Sequence, residues 1–221
     1  MNFARSGSGR ESRSRVVTAA ERTYGGRSVS DRLAERRRRF LDAALAEFTG
    51  TGYAASSVTA ICRVAGLSRR QFYELFDDRE DLLIALYDEI QGDARTAVAQ
   101  ALADNNSRDL HQLATTAMAA YMASVGNDPR RAEVSFVQIV GVSARVERHR
   151  LDGREEWVEF FVAAMAEFAD REPSERQRHL AIAFVGALTG LVHRWSSADD
   201  PVPLAEVVAV LADILLAFTR I

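Results

Sequence analysis

The chain has 221 residues, 48% of them hydrophobic, and a formal net charge of −3, so it is long enough to bury one or two substantial cores. All 28 basic residues are arginine, which excludes a Walker A phosphate loop, a lysine Schiff base and a Ser-x-x-Lys nucleophile pair, each of which needs a lysine. The charge is divided: residues 1–80 hold 15 arginines against 10 acidic residues, whereas residues 81–221 hold 13 against 21.

Residues 1–29 are rich in Arg, Ser and Gly without a sustained period, which reads as a basic, disordered N-terminal arm. They contain no charged-then-apolar leader. The longest apolar stretch, Ala181 to Val192, falls short of the roughly 20 residues a membrane span needs. With a single cysteine, Cys62, an intramolecular disulfide is excluded. A cytoplasmic chain with no membrane segment is therefore expected.

A first helix is predicted from Ser30 or Asp31 to Thr49, stopped by Gly50, with Leu33, Phe40, Leu41, Ala44, Leu45 and Phe48 as its buried stripe. Arg36 to Arg39 fall near the positive end of its dipole, where cations are disfavoured without an anion nearby. A phosphate group and plain solvent both remain open as their surroundings.

The stretch Ser57 to Arg79 carries the strongest local signal. Val58, Ile61, Cys62 and Ala65 keep helical spacing, Gly66-Leu67 breaks it, and Ser68 caps a second helix bearing Phe72, Leu75 and Phe76. This is a helix-turn-helix pattern, with the motif at about residues 57–76. On the second helix, Phe72, Leu75 and Phe76 share one arc, while Arg70, Tyr73 and Glu74 share the other with Arg69 at the N-terminal end. An outward face of arginines and a tyrosine suits major-groove reading, because arginine pairs bidentately with guanine and tyrosine reaches phosphate. Arg69 and Arg70 are the first candidates for base contact, with Thr59 and Gln71 secondary. Ser57, Tyr73 and Arg79 are candidates for phosphate, and Ser68 at the cap completes the set.

Beyond Arg79 the pattern stays helical. A long helix is predicted to about Asp104, then helices over Asp109 to Val125, Pro129 to Val142, Gly153 to Asp170, Ser174 to Trp195 and Pro203 to Arg220. No segment shows strand alternation, so the fold class is all-α. Ala183, Gly186, Ala187 and Gly190 form a small-residue side on the penultimate helix, and Leu204, Val207, Val208, Leu211, Ile214, Leu215 and Phe218 an apolar stripe on the last. The small side suits either close approach of a second chain or tight packing on the Asp109 helix. His111, His149, His179 and His193 are scattered, with no metal-ligand spacing, so neither a catalytic role nor a metal or other cofactor is expected.

The run GYAASSVTAICRVAGLSRRQFYELFDDREDLL resembles the DNA-binding signature of TetR-type transcriptional regulators. Gly52-Tyr53, Ser56-Ser57, Ile61-Cys62, Ala65-Gly66-Leu67-Ser68, Phe72-Tyr73, Phe76 and Arg79 fall in the family's slots. Leu75 departs from the usual His or Tyr, which removes a polar group, and Cys62 from the usual alanine. The resemblance implies a three-helix DNA-binding domain over residues 30–78 and a helical regulatory and dimerisation domain over residues 79–221. It also implies a homodimer, built by pairing of the last two helices, on a palindromic operator in double-stranded DNA. The N-terminal arm then reads either as a minor-groove follower or as a solvated extension. A small-molecule effector is implied among the large side chains of the second domain: Tyr87, Met118, Tyr121 and Met122 on one side, Trp157, Phe161, Met165 and Phe184 on the other. Gln138, Tyr121 and His193 are its expected polar contacts, and a mostly apolar lining would favour an apolar or amphipathic ligand. The function implied is a repressor released from its operator by that effector. An activator or a ligand-independent DNA-binding protein is the alternative, and an all-α enzyme a distant third.

Overall fold

The computed structural model describes residues 29–169 and 172–219, with side chains described to 167 in the first span and from 172 to 217 in the second. Residues 1–28 of the expected N-terminal arm, and Phe218 in the predicted stripe of the last helix, lie outside the described side chains. Among the described residues every regular element is helical: α1 (Val29–Gly50), α2 (Val58–Ala65), α3 (Arg69–Tyr73), α4 (Arg79–Ala103), α5 (Leu110–Gly126), α6 (Pro129–Glu133), a π-helical turn (Val134–Gln138), α7 (Ala144–Ala169), α8 (Glu175–Ser196) and α9 (Leu204–Thr219). No helix among them is long and apolar enough to cross a membrane.

The chain separates into two compact units at Glu35 and Arg36. In the first, the described residues are the opening turns of α1, where Leu33, expected to be buried, is exposed. The second holds everything from Arg36 onward, and its core starts with an aromatic cluster. The Phe40 ring meets the Phe72 and Phe76 rings edge-on at 5.4 and 6.0 Å, and Phe48 meets Tyr53 at 5.2 Å. Such edge-to-face pairs add roughly 0.5–1.5 kcal/mol each beyond the burial of their area. The Phe40–Phe72 pair ties α1 to α3.

Helix α4, capped by Asp78 accepting from the Asp81 amide at 2.7 Å, is unbroken over 25 residues, a length of about 37 Å. It packs on α5, α5 packs on α9, and α7 packs on α8. The apolar stripe of α9 is thus partly spent within the chain: Val207 and Leu211 are buried, while Val210 stays 46% exposed. The small side of α8 is not spent in this way. A Cβ added at Gly186 or Gly190 would meet nothing within 4 Å, so tight packing on α5 does not account for these glycines.

Two element boundaries differ from the sequence reading. The segment expected as one helix from Pro129 to Val142 shortens to α6 and then widens into the π-helical turn, where Ile139 donates to the Val134 carbonyl at 3.2 Å. Helix α7 starts at Ala144 rather than Gly153, with the Ser143 hydroxyl accepting from the Val146 amide at 3.2 Å. Gly153 is not a helix start but a point of close approach: a Cβ there would lie 2.8 Å from the Tyr87 hydroxyl.

Candidate functional site

The turn between α2 and α3 is held by local chemistry. Ser57 caps α2 by accepting from the Ala60 amide at 3.1 Å. Gly66 ends it in the left-handed region at φ 63°, where any other residue is strained. Arg39 reaches across from α1 to donate to the carbonyls of Ala65 and Gly66 at 2.5 and 3.3 Å. A Cβ at Gly66 would fall 2.8 Å from that guanidinium, so the glycine meets both a backbone and a space requirement. Ser68 and Gln71 then form a reciprocal capping box, the Ser68 amide donating to Gln71 Oε1 at 2.9 Å and the Gln71 amide to Ser68 Oγ at 3.3 Å.

Helix α3 ends at Tyr73, so Leu75 and Phe76 lie just beyond it rather than within it. The Leu75 and Phe76 amides still donate to the Phe72 carbonyl, each at 2.9 Å, and Phe72 and Phe76 are buried. The opposite side is open: the Arg70 side chain is 91% exposed and Tyr73 50% exposed. Arg69 donates to Thr59 Oγ1 at 3.1 Å and to the Tyr73 hydroxyl at 3.4 Å, joining the outward residues of both helices into one surface. Gln71 shares its oxygen with the cap. Arg79 turns inward, donating to the Ser56 carbonyl and to Ser56 Oγ at 3.2 Å and lying 4.3 Å above the Tyr53 ring. Both bonds leave from Nη1, which ties that end of the guanidinium to the loop before α2.

The Arg36 to Arg39 run is likewise tied within the chain. Arg36 pairs with Glu74 at 2.9 Å, Arg37 lies over the Phe76 ring at 5.5 Å, and Arg38 pairs with Asp42 at 2.8 Å. Carboxylates of the chain thus stand beside Arg36 and Arg38, and carbonyls beside Arg39.

The second domain holds a partly open cavity of about 300 Å³ lined by α4, α5, α7, α8 and the π-helical turn. Of the residues expected around an effector, Tyr87, Tyr121, Trp157, Phe161 and His193 line it. The Trp157 indole donates to Gln91 at 2.9 Å, and burial pushes the Tyr87 phenol up to about 12 and raises that of Tyr121 as well. Met118 and Met122 do not line it; they are fully buried core. Phe184 stands behind the wall, edge-on to Phe161 at 4.9 Å, and Met165 is half-buried outside the lining. Gln138 also lies elsewhere, accepting from the Tyr53 amide at 2.8 Å and donating to Glu133 at 2.8 Å.

The lining includes residues that the sequence reading passed over: Gln91, Ser135, Arg150, Arg154 and Thr189. Both arginines belong to the turns of α7 around Gly153, the point where the helix had been expected to begin. The same early start carries Arg145 to the head of α4, 3.2 Å from Asp78 and 3.7 Å from Asp81, while Ser143 donates to Glu80 at 3.0 Å. No group of three or more His, Cys, Asp or Glu side chains suited to a metal occurs among the described residues.

Residues 40–86 match the family described as bacterial regulatory proteins, tetR family. Solved structures share the fold across both domains. The fatty acid degradation regulator FadR from Bacillus halodurans aligns with a TM-score of 0.68 at 18% identity, over 82% of this chain and 94% of that one. FadR from Bacillus subtilis, in complex with stearoyl-CoA, aligns at 0.69 and 15% identity over 82% and 98%. A TetR-family transcriptional regulator from Streptomyces coelicolor aligns at 0.62 and 17% identity over 84% and 98%. The matched stretch is the one that runs from the Phe40 aromatic cluster through the α2–α3 turn into α4, so the helix-turn-helix segment of this chain is similar to that of the tetR family of bacterial regulatory proteins.

Proposed function

We propose that the chain acts as a homodimeric repressor that leaves a palindromic operator when a small-molecule effector fills the cavity. The observation that carries this reading is the position of the π-helical turn. Ser135 and Phe136 line the cavity, and three residues on from Ser135, Gln138 accepts the Tyr53 amide. An effector that presses on this turn acts on the DNA-binding domain through one hydrogen bond, and through α7 it acts on the Arg145 pairs at the head of α4. By linkage, an effector that favours the arrangement unsuited to DNA lowers operator affinity by the ratio of its affinities for the two arrangements.

In this reading Arg69 and Arg70 read bases, Thr59 and Gln71 contribute to the same surface, and Ser57 and Tyr73 meet phosphates. The dimer forms through the open side of α8, where Ile182 is 46% exposed beside Ala183 and Gly186. An acyl compound is a reasonable first effector to try, because the Bacillus subtilis FadR structure holds stearoyl-CoA.

The test is selection of bound duplexes from random DNA, followed by titration of the selected operator with effector candidates. Inverted half-sites about 34–36 Å apart, or a multiple of that distance, are expected for two recognition helices on a two-fold axis. Single, unpaired sites would remove the dimeric reading. A symmetric operator whose affinity no cavity ligand alters would leave a DNA-binding regulator without effector control.

A further inference from the structure

The cavity contains an arginine without a hydrogen-bond or ion-pair partner among the described residues. Arg150 and Arg154 both line it, and the lining includes no carboxylate. Arg150 is accounted for: its guanidinium donates to Glu147 at 2.6 and 3.1 Å. Arg154 is different, since no hydrogen bond or ion pair reaches its guanidinium among the described residues. Across the same space the Ser135 hydroxyl is buried and has no hydrogen-bond partner. A half-buried guanidinium and a buried hydroxyl left unpaired each cost stability. Burial, with the neighbouring Arg150 charge adding to it, holds the Arg154 guanidinium below the usual arginine value. The lining also holds Gln91, Thr189 and His193, none of them an anion, and the apolar and aromatic side chains of Trp157, Phe161 and Leu188.

We propose, on the basis of the effector reading above, that the cavity takes a small organic acid, its carboxylate seated on Arg154 and within reach of the Ser135 hydroxyl, its apolar body against Trp157, Phe161 and Leu188. The cavity is at the small end of ligand sites, which run roughly 300–1,000 Å³, so the acid is compact. The anion belongs inside the cavity. This separates the proposal from an acyl thioester, whose inserted part is uncharged and whose phosphates sit far from it.

The test is calorimetric titration of the full chain with octanoate, octanol, octylammonium and octanoyl-CoA. Octanoate is expected to bind about tenfold or more tightly than octanol, the usual difference for a hydrogen bond to a charged group, and octylammonium more weakly than either. Arg154→Met should bring octanoate to the level of octanol while leaving octanol unchanged, and Arg154→Lys should keep the preference. The proposal is overturned if octanol matches octanoate on the wild-type chain, if octanoate does not bind at millimolar concentration, if octanoyl-CoA binds more tightly than octanoate, or if a folded Arg154→Met retains the preference. The wild-type comparisons decide the matter even if Arg154→Met does not fold. Operator titration on the same samples separates the two readings. Octanoate that binds through Arg154 without altering operator affinity supports the acid site and removes effector control; release by octanol but not octanoate supports effector control and overturns the acid site.

Discussion

Replacement of Arg69 and Arg70 by alanine, singly and together, is expected to lower affinity for the selected operator by about 1–3 kcal/mol for each arginine that reads a base, and to relax sequence preference at the position it reads. The two variants should differ in kind. The Arg70 side chain is 91% exposed and, among the described residues, pairs with Glu74 at 3.4 Å, so Arg70→Ala should remove the proposed DNA contact and little else. Arg69 also joins Thr59 to Tyr73, so Arg69→Ala loosens neighbouring contacts and should weaken preference at more than one operator position. Fluorescence anisotropy on single-base operator variants, repeated across salt concentrations, checks this. A uniform loss with a shallower salt slope would make the arginines phosphate contacts. Unchanged affinity and preference in both variants would remove α3 as the reading helix.

On the proposed pairing through α8, Gly186→Leu is expected to give a folded monomer and, with it, to remove most operator binding. A Cβ at Gly186 meets nothing within 4 Å in its own chain, so the substitution starts into open space and the melting transition of the subunit core should persist. A second α8 lying across that glycine would meet the new side chain directly, and overpacking of a close helix contact costs typically 1–3 kcal/mol. Sedimentation velocity reads the assembly and anisotropy the operator. A Gly186→Leu protein that stays dimeric with full operator affinity would place the dimer contact elsewhere, and a monomeric wild-type chain would abolish the basis of the prediction. Gly186 is the better position for this test than Gly190, which also borders the cavity.

The all-α class and the helix-turn-helix were legible because their signals are local. Ser57, Gly66 and Ser68 mark caps and a stop that depend on neighbours within a few residues, and Phe72 and Phe76 fall on one arc at helical spacing. Other features were hidden for particular reasons. Gly153 has the composition of a helix boundary, yet it is a glycine because the Tyr87 ring passes over it, a fact about α4 that the α7 sequence does not contain. With α7 begun there, Arg150 fell outside the expected helix. A usable signal was present: Val146, Arg150, Arg154, Trp157 and Phe161 follow one another at spacings of three and four, which puts two arginines on an otherwise apolar stripe. Met118 and Met122 lie at the same kind of spacing and are core, since periodicity tells inward from outward but not cavity wall from packed interior. The inward turn of Arg79 onto Ser56 and Tyr53 depends on a loop 23 residues back in the sequence.

Cys62, the chain's only cysteine, lies beneath the α2–α3 turn, with its carbonyl accepting the Leu67 amide at 3.0 Å and its thiol buried. Burial pushes the thiol up from its ordinary value against the downward pull of Arg69, so it is protonated as well as covered and reacts slowly with alkylating reagents. Alkylation then proceeds only through openings that lift α3 away from α2, and the labelling rate becomes a clock for those openings in the unmodified chain. Operator duplex, which engages only the closed element, should slow that clock in proportion to its saturation, giving occupancy of the DNA site from mass spectrometry of one residue with no probe introduced.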